Sequence, residues 1–249
     1  MEGLSLTHNC LDMELFREAR VTVLVGAFGC GKTELAVNFA MRMNDAGRDV
    51  ALVDIDILKP MFRSRDKRLR LSELGVRVVS SVADYEDADI PALSPAIYGV
   101  IEDQSQDVVI DVGGDDDGAR VLGRFRNVLE RAGYEMLYVV NTRRPFSSTP
   151  EEIVNMVVAV EQASRLKCTA LVSNTNLGSE SSVELVKEGL DITQQAAETL
   201  RIPVRFAVIE KGVADSSRAD LVNMLRTYGV PAFEMERTIL PPWEGIAQS

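Results

Sequence analysis

Histidine is nearly missing from this chain. His8 is the single one in 249 residues, and it lies close to the start. Acid–base chemistry built on imidazole is therefore not expected. Cysteine is scarce as well. Cys10, Cys30 and Cys168 form no C-x-x-C pair, and no histidine stands near two of them. A zinc or iron–sulfur site within the chain is not expected, and the three read as incidental or buried thiols of a reducing compartment. Basic charge is in deficit: 27 Lys and Arg against 38 Asp and Glu leave a net charge of −11. Non-specific nucleic-acid binding rests on neutralising phosphates, so no nucleic-acid partner is expected. No apolar run approaches the ~20 residues of a membrane span. The start of the chain lacks the basic region and apolar core of a secretory signal. No membrane partner is expected, and the expected location is the cytoplasm.

Short apolar runs recur along the sequence. They are "VTVLVG" from Val21, "VALVDID" from Val50, "VRVVS" from Val76, "DVVIDVG" from Asp107, "EMLYVVN" from Glu135, "CTALVSN" from Cys168 and "PVRFAVI" from Pro203. They are rich in β-branched residues and do not alternate with polar ones, as in strands covered on both faces of a parallel sheet. Helical patterns separate them at Thr33–Asn44, Ala119–Ala132, Pro150–Leu166, Val183–Leu200 and Ser216–Tyr228. Thr149, Pro150 and Glu152 spell a capping box with proline at the first helical position. Asp45-Ala46-Gly47 reads as a helix stop. Strand–helix alternation predicts a doubly wound, mostly parallel α/β sheet in three layers. One domain over residues 1–249 is expected, with 1–20 as a leading segment or helix and 230–249 as an irregular tail.

The first strand runs into "GAFGCGKT", Gly26 to Thr33, which fits G-x-x-x-x-G-K-[ST] with a strand before it and a helix after it. The spacing follows from the chemistry. Successive backbone N–H groups must turn inward around a phosphate, and glycines permit the dihedrals this needs. The helix N-terminus adds partial positive charge. Gly26, Ala27, Phe28, Gly29, Cys30, Gly31, Lys32, Thr33 and Glu34 are thus the expected phosphate-binding segment. Lys32 is expected on the β- and γ-phosphates, and the Thr33 hydroxyl on Mg²⁺. Carboxylates end two other strands: Asp54 and Asp56 in "LVDIDILKP", and Asp111 in "VVIDVGGDDDG". Strand carboxyl ends face the ligand crevice of a doubly wound sheet. A carboxylate buried there is costly unless it meets a cation or donors, and Mg²⁺ is the natural partner.

These three segments resemble the MinD/ParA/CobQ/CobB branch of the SIMIBI-class P-loop proteins, over roughly residues 21 to 115. Later strands, "LYVVN" and "LVSNTN", extend the likeness more loosely. The resemblance implies the P-loop NTPase fold, ATP and Mg²⁺, and roles for the acids. Asp56 would orient the attacking water, Asp111 would support Mg²⁺ through water, and Asp54 would assist Mg²⁺ or the loop. One departure stands out. Many MinD-like members carry a second lysine just after the first glycine, which reaches across a dimer, and here that position is Ala27. The cluster cysteines of nitrogenase iron protein and a membrane-binding C-terminal helix are not seen either. A homodimer is still expected, with Arg63 or Arg65 of the basic run "FRSRDKRLR" as substitutes for the crossing charge. That run also reads as a solvated helix face, and Asp115–Asp117 as an exposed acidic turn or a contact to Mg²⁺ or a partner.

Guanine readers use N-K-x-D. The candidates "NTRR" from Asn141 and "NTNL" from Asn174 lack both the Lys and the Asp. Asn174, at a strand end, is expected to read adenine N6 and N7, with Asn141 the second candidate. The leading functional expectation is an Mg-ATP-dependent ATPase, with Lys32 and Asp56 as its catalytic residues, that switches shape on a protein partner. The alternatives are an ATP-dependent enzyme that activates a small carboxylate substrate, in the manner of dethiobiotin synthetase, and a nucleotide-binding regulator with negligible turnover.

Overall fold

The computed structural model describes residues 19–56, 71–73, 75–80, 95–114 and 116–238. The expected leading helix, the basic run Phe62–Arg70, Asp115 and the chain after Thr238 lie outside these residues. The elements are β1 (Val21–Val25), α1 (Lys32–Asp45), β2 (Val50–Asp54), β3 (Arg77–Ser80), α2 (Pro95–Glu102), β4 (Asp107–Asp111), α3 (Asp116–Arg124), α4 (Arg126–Ala132), β5 (Tyr134–Val140), α5 (Pro150–Ser164), β6 (Ala170–Ser173), α6 (Val183–Leu200), β7 (Val204–Glu210), α7 (Lys211–Tyr228) and β8 (Ala232–Met235).

The strands form one eight-stranded sheet in the order β3-β2-β4-β1-β5-β6-β7-β8. Every pairing is parallel. This is the α/β fold of P-loop NTPases, as the strand–helix alternation predicts. A period of two sorts the apolar runs between the faces. Val21, Val23, Val25, Ala51 and Val53 point into one core. Leu24, Val50 and Leu52 point into the other. α1 covers the second face with Leu35, Phe39 and Met43. There Phe39 packs on Phe206 and Phe233, with ring centroids 5.6 and 5.1 Å away. Ile97 of α2, Leu122 of α3, Leu129 of α4, Ile153 of α5 and Ala196 of α6 cover the first face. α6 and α7 share a further cluster around Leu190, Ile209 and Leu221.

The helix signals act as their chemistry requires. Thr149 Oγ1 accepts from the Glu152 amide at 3.2 Å, and Glu152 Oε2 accepts from the Thr149 amide at 3.3 Å. Gly47, at φ 79°, ends the turn after α1. Three expectations need correction. Residues 232–235, expected to be irregular, form β8, because Phe233 and Met235 bury beside α1 while the residues between them stay partly open. The helix expected from Ser216 begins at Lys211, and Ser217 is a break inside it at φ −140°. The helix expected over Ala119–Ala132 is two, divided at Phe125, whose ring is buried against Tyr98 at 4.9 Å. Among the described residues no helix is long and apolar enough to cross a membrane.

Candidate functional site

β1 is the strand at which the chain order reverses, with β4 on one side and β5 on the other. A crevice forms outside the carboxyl ends of strands at such a point. The loop Gly26–Gly31 leaves β1 there. A carbon added at Gly26 would meet the Val139 carbonyl at 2.5 Å, so only a glycine lets the loop lie against β5. Gly31 caps α1 in the left-handed region at φ 92° and, being glycine, brings no side chain to cap that end. The first turn of a helix presents amides without partners inside the helix, which suits an anion.

Lys32 is 6% exposed despite its charge. Its Nζ donates to the carbonyls of Gly26 and Ala27, both at 2.9 Å, and lies 3.8 Å from Cys30 Sγ. A carbon added at Gly114, just past β4, would come within 2.9 Å of that ammonium and 2.8 Å of the Phe28 backbone. The ammonium therefore sits between the loop and the Gly113-Gly114 turn. Ala27 and Cys30 are buried, while the Phe28 side chain is exposed.

β1, β2 and β4 end level with one another, since Asp111 is in register with both Leu24 and Asp54. Asp54 is wholly buried, and its Oδ1 accepts from the Asp56 amide at 3.0 Å. Asp56 itself is half-buried. Asp111 is buried, and its Oδ1 has no hydrogen-bond partner among the described residues. Burial raises the Asp111 carboxyl from 3.8 to about 6, against the pull of the Thr33 hydroxyl bonded to it and of Lys32, while Asp56 pushes it further up. A buried carboxylate oxygen with nothing to accept is a place for a cation. Among the described residues no three His, Cys, Asp or Glu converge on a metal position. A cage made wholly of protein ligands does not fit the site. Mg²⁺, which binds through one or two protein groups and otherwise through phosphate and water, does.

Asn174 ends β6 and is 1% exposed. Its Nδ2 donates to the Cys30 carbonyl at 2.8 Å. Its Oδ1 accepts from Asn176 Nδ2 at 3.2 Å. Both ends of the amide are thus used within the protein, and the side chain braces the Gly26–Gly31 loop. Asn141 Nδ2 donates to the Asn176 carbonyl at 3.3 Å. Glu34, expected at the phosphates, turns elsewhere. Its Oε1 accepts from the Thr238 amide and from the Thr238 hydroxyl at 2.6 Å. One helical turn on, Asn38 Nδ2 donates to the Glu236 carbonyl at 2.9 Å, and its Oδ1 accepts the Glu236 amide at 3.0 Å. A carboxylate on the first turn is stabilised by the helix end, and here Thr238, just past β8, supplies its donors. In the acidic turn, Asp117 is exposed and pairs with Arg120 at 3.0 Å.

The structure also brings in residues that the sequence reading passed over. Arg144 lies along Gly29 of the loop between β1 and α1. Thr142 and Thr175 join their hydroxyls at 3.2 Å beneath the β5 and β6 ends. "NTRR" was legible as a failed guanine motif, and its arginines carried a separate signal as cations placed just after a central strand.

No protein-family model matches the chain. The signal recognition particle 54 kDa protein of Methanopyrus kandleri is 31% identical over 135 residues, which is 53% of this chain and 29% of that protein. Among solved structures, the chloroplast FtsY of Physcomitrella patens superposes with a TM-score of 0.52 at 18% identity, covering 83% of this chain and 65% of that one. The cell division protein FtsY of Thermotoga maritima gives 0.50 at 22% identity, covering 76% and 61%. The Aeropyrum pernix 54 kDa protein, solved in complex with GDP, gives 0.50 at 17% identity, covering 84% and 49%. The chain thus spans less than a third of the curated relative and less than two thirds of these structures. These likenesses show the fold alone, the α/β fold of P-loop NTPases. They fall on the FtsY and 54 kDa proteins and lend no support to the MinD/ParA-like branch in particular.

Proposed function

We propose that the chain is a Mg²⁺-dependent P-loop nucleoside triphosphatase that acts as a switch on a protein partner. The observation that carries this is the position of Lys32, buried between the loop carbonyls and the Gly113-Gly114 turn, with Thr33 and Asp111 beside it. Phosphate oxygens take the ammonium over from the Gly26 and Ala27 carbonyls. Thr33 and Asp111 would hold Mg²⁺, and that ion would supply neutralisation of phosphate charge. Asp56, two residues past the end of β2, orients the water. A terminal phosphate then contacts the turn that leads into α3. Gly118 of α3 lies against Gly113, where an added carbon would meet its carbonyl at 2.4 Å. Loss of that phosphate releases the turn and α3 with it, which is the change a partner would read.

Two observations bear on the base and point apart. Residues Asn174–Leu177 contain no carboxylate to accept the N1–H and N2–H₂ of guanine, which supports adenine. Leaving such donors unpaired costs roughly 1–3 kcal/mol each. The GDP held by the Aeropyrum pernix structure, and the 31% identity to a protein of the same name, support guanine. Likeness of fold is the weaker guide to a site, so adenine is the reading we adopt. Competition of unlabelled ATP and GTP against one fluorescent nucleotide, with Mg²⁺ present, decides it. Roughly tenfold stronger displacement by ATP is expected. Stronger displacement by GTP establishes the second reading, and no displacement by either overturns the triphosphatase.

A further inference from the structure

The segment "NTRRPF", Asn141 to Phe146, follows β5 and is held in a fixed shape. Asn141 Oδ1 accepts the Arg143 amide at 3.0 Å, and the Asn141 carbonyl accepts the Arg144 amide at 3.0 Å. Ser147 is wholly buried, and the capping box at Thr149 ties the far end to α5. The two arginines part company on this frame. Arg143 pairs with Glu188 of α6, away from the loop. Arg144 turns to the phosphate loop. A carbon added at Gly29 would lie 3.6 Å from its Nε, 3.7 Å from its Cζ and 3.9 Å from its Cδ. The arginine therefore runs along the backbone in the middle of the loop, at a residue with no side chain to hold it off. Arg144 is exposed and forms no ion pair among the described residues.

A cation without a counter-ion, lying beside a loop built for an anion, is an electrostatic arrangement completed by that anion. Guanidinium is the side chain best matched to phosphate, since its planar fork donates to two oxygens at once. The position after Gly26 is Ala27, so the loop itself brings no second charge. We propose that Arg144 contacts the terminal phosphates from within the same chain and stabilises the charge that forms as the β–γ bond breaks. The inference rests on the triphosphatase reading above. In that reaction a water oxygen bonds to the γ-phosphorus. The bridging oxygen leaves with the electron pair as part of the nucleoside diphosphate, and the water proton passes to the inorganic phosphate or to solvent. The growing negative charge on the bridging oxygen is what Arg144 neutralises.

The test compares wild type, Arg144→Ala, Arg144→Lys and Arg143→Ala. Fluorescent nucleoside triphosphate and diphosphate are titrated with Mg²⁺, and phosphate release is followed in a single turnover. Thermal unfolding checks that the variants are folded, as expected for an exposed side chain. Arg144→Ala is expected to bind diphosphate as wild type does. Its preference for triphosphate over diphosphate, or its rate of phosphate release, is expected to fall about tenfold or more. Arg144→Lys, which keeps the charge and loses the fork, should fall in between, and Arg143→Ala should match wild type. An unchanged preference together with an unchanged rate in Arg144→Ala overturns the inference and leaves the triphosphatase reading standing. Wild type binding neither nucleotide overturns both.

Discussion

Replacing Asp111 with asparagine separates what this carboxylate does for the site from what it does to the fold. The group is buried, and its carboxyl lies at about 6 in the folded chain against an ordinary 3.8. The folded state holds the proton more tightly than the unfolded one. Its contribution to stability is therefore greatest below pH 3.8, declines as the pH rises toward about 6, and is level above that. At 1.36 kcal/mol for each pH unit between the two values, the ionised group costs about 3 kcal/mol at neutral pH. About 2 of those 3 kcal/mol are lost between pH 4.5 and 7.5. Asparagine stays neutral and removes that cost, although its amide protons bring a desolvation penalty of roughly 1–3 kcal/mol of their own. The clean quantity is consequently the difference between the two proteins as a function of pH. Urea unfolding without Mg²⁺ or nucleotide should show Asp111→Asn gaining about 2 kcal/mol on wild type from pH 4.5 to 7.5. Adding Mg²⁺ and nucleotide at pH 7.5 should stabilise wild type more than Asp111→Asn, because wild type alone has the carboxylate for the cation. A constant difference across this pH range would refute the reasoning, since it would mean that Asp111 meets its counter-charge inside the protein.

Lys32→Ala should remain folded and lose nucleotide affinity by tenfold or more by calorimetry, because a charge-assisted phosphate contact contributes on the order of 1.5–3 kcal/mol. Equal affinity in the folded variant would refute the P-loop assignment. Asp56→Asn should bind nucleotide as wild type does and release phosphate far more slowly, since a group that positions water acts mainly in the transition state. Turnover at the wild-type rate would pass that role to another residue.

The apolar runs that were legible as strands correspond to β1 through β7, and they were legible because strands covered on both faces need no polar residues. β8 escaped the same reading. It is four residues long, lies at the sheet edge and buries just Phe233 and Met235. α2 escaped as well, since its eight residues offer little more than Ile97, Val100 and Ile101 at helical spacing. The loop between β1 and α1 was legible because backbone geometry dictates its glycines, and those glycines can be read one residue at a time. Asn174 and Glu34 could not be read in this way. Asn174 meets Cys30, and Glu34 meets Thr238, across 144 and 204 residues of sequence. No local pattern records such partners. Arg144 falls between the two cases: its place after β5 could be read from the sequence, but not its direction toward Gly29.

The bonds that join α1 to β8 and the residues just after it bear on how such a chain is made. Arg42 reaches the Glu234 carbonyl across 192 residues, Asn38 reaches Glu236 across 198, and Glu34 reaches Thr238 across 204. At roughly 5–20 residues per second of synthesis, about 10 to 40 seconds separate the emergence of α1 from that of its last partners. Through that interval α1 waits without Phe233 against Phe39 and without donors for Glu34 from Thr238. Contacts between residues so far apart form late and slowly. The helix that carries Lys32 and Thr33 is thus completed by residues that follow it by 192 to 204 positions. A nascent chain released short of Thr238 would carry every residue of the phosphate loop on a helix still missing part of its packing.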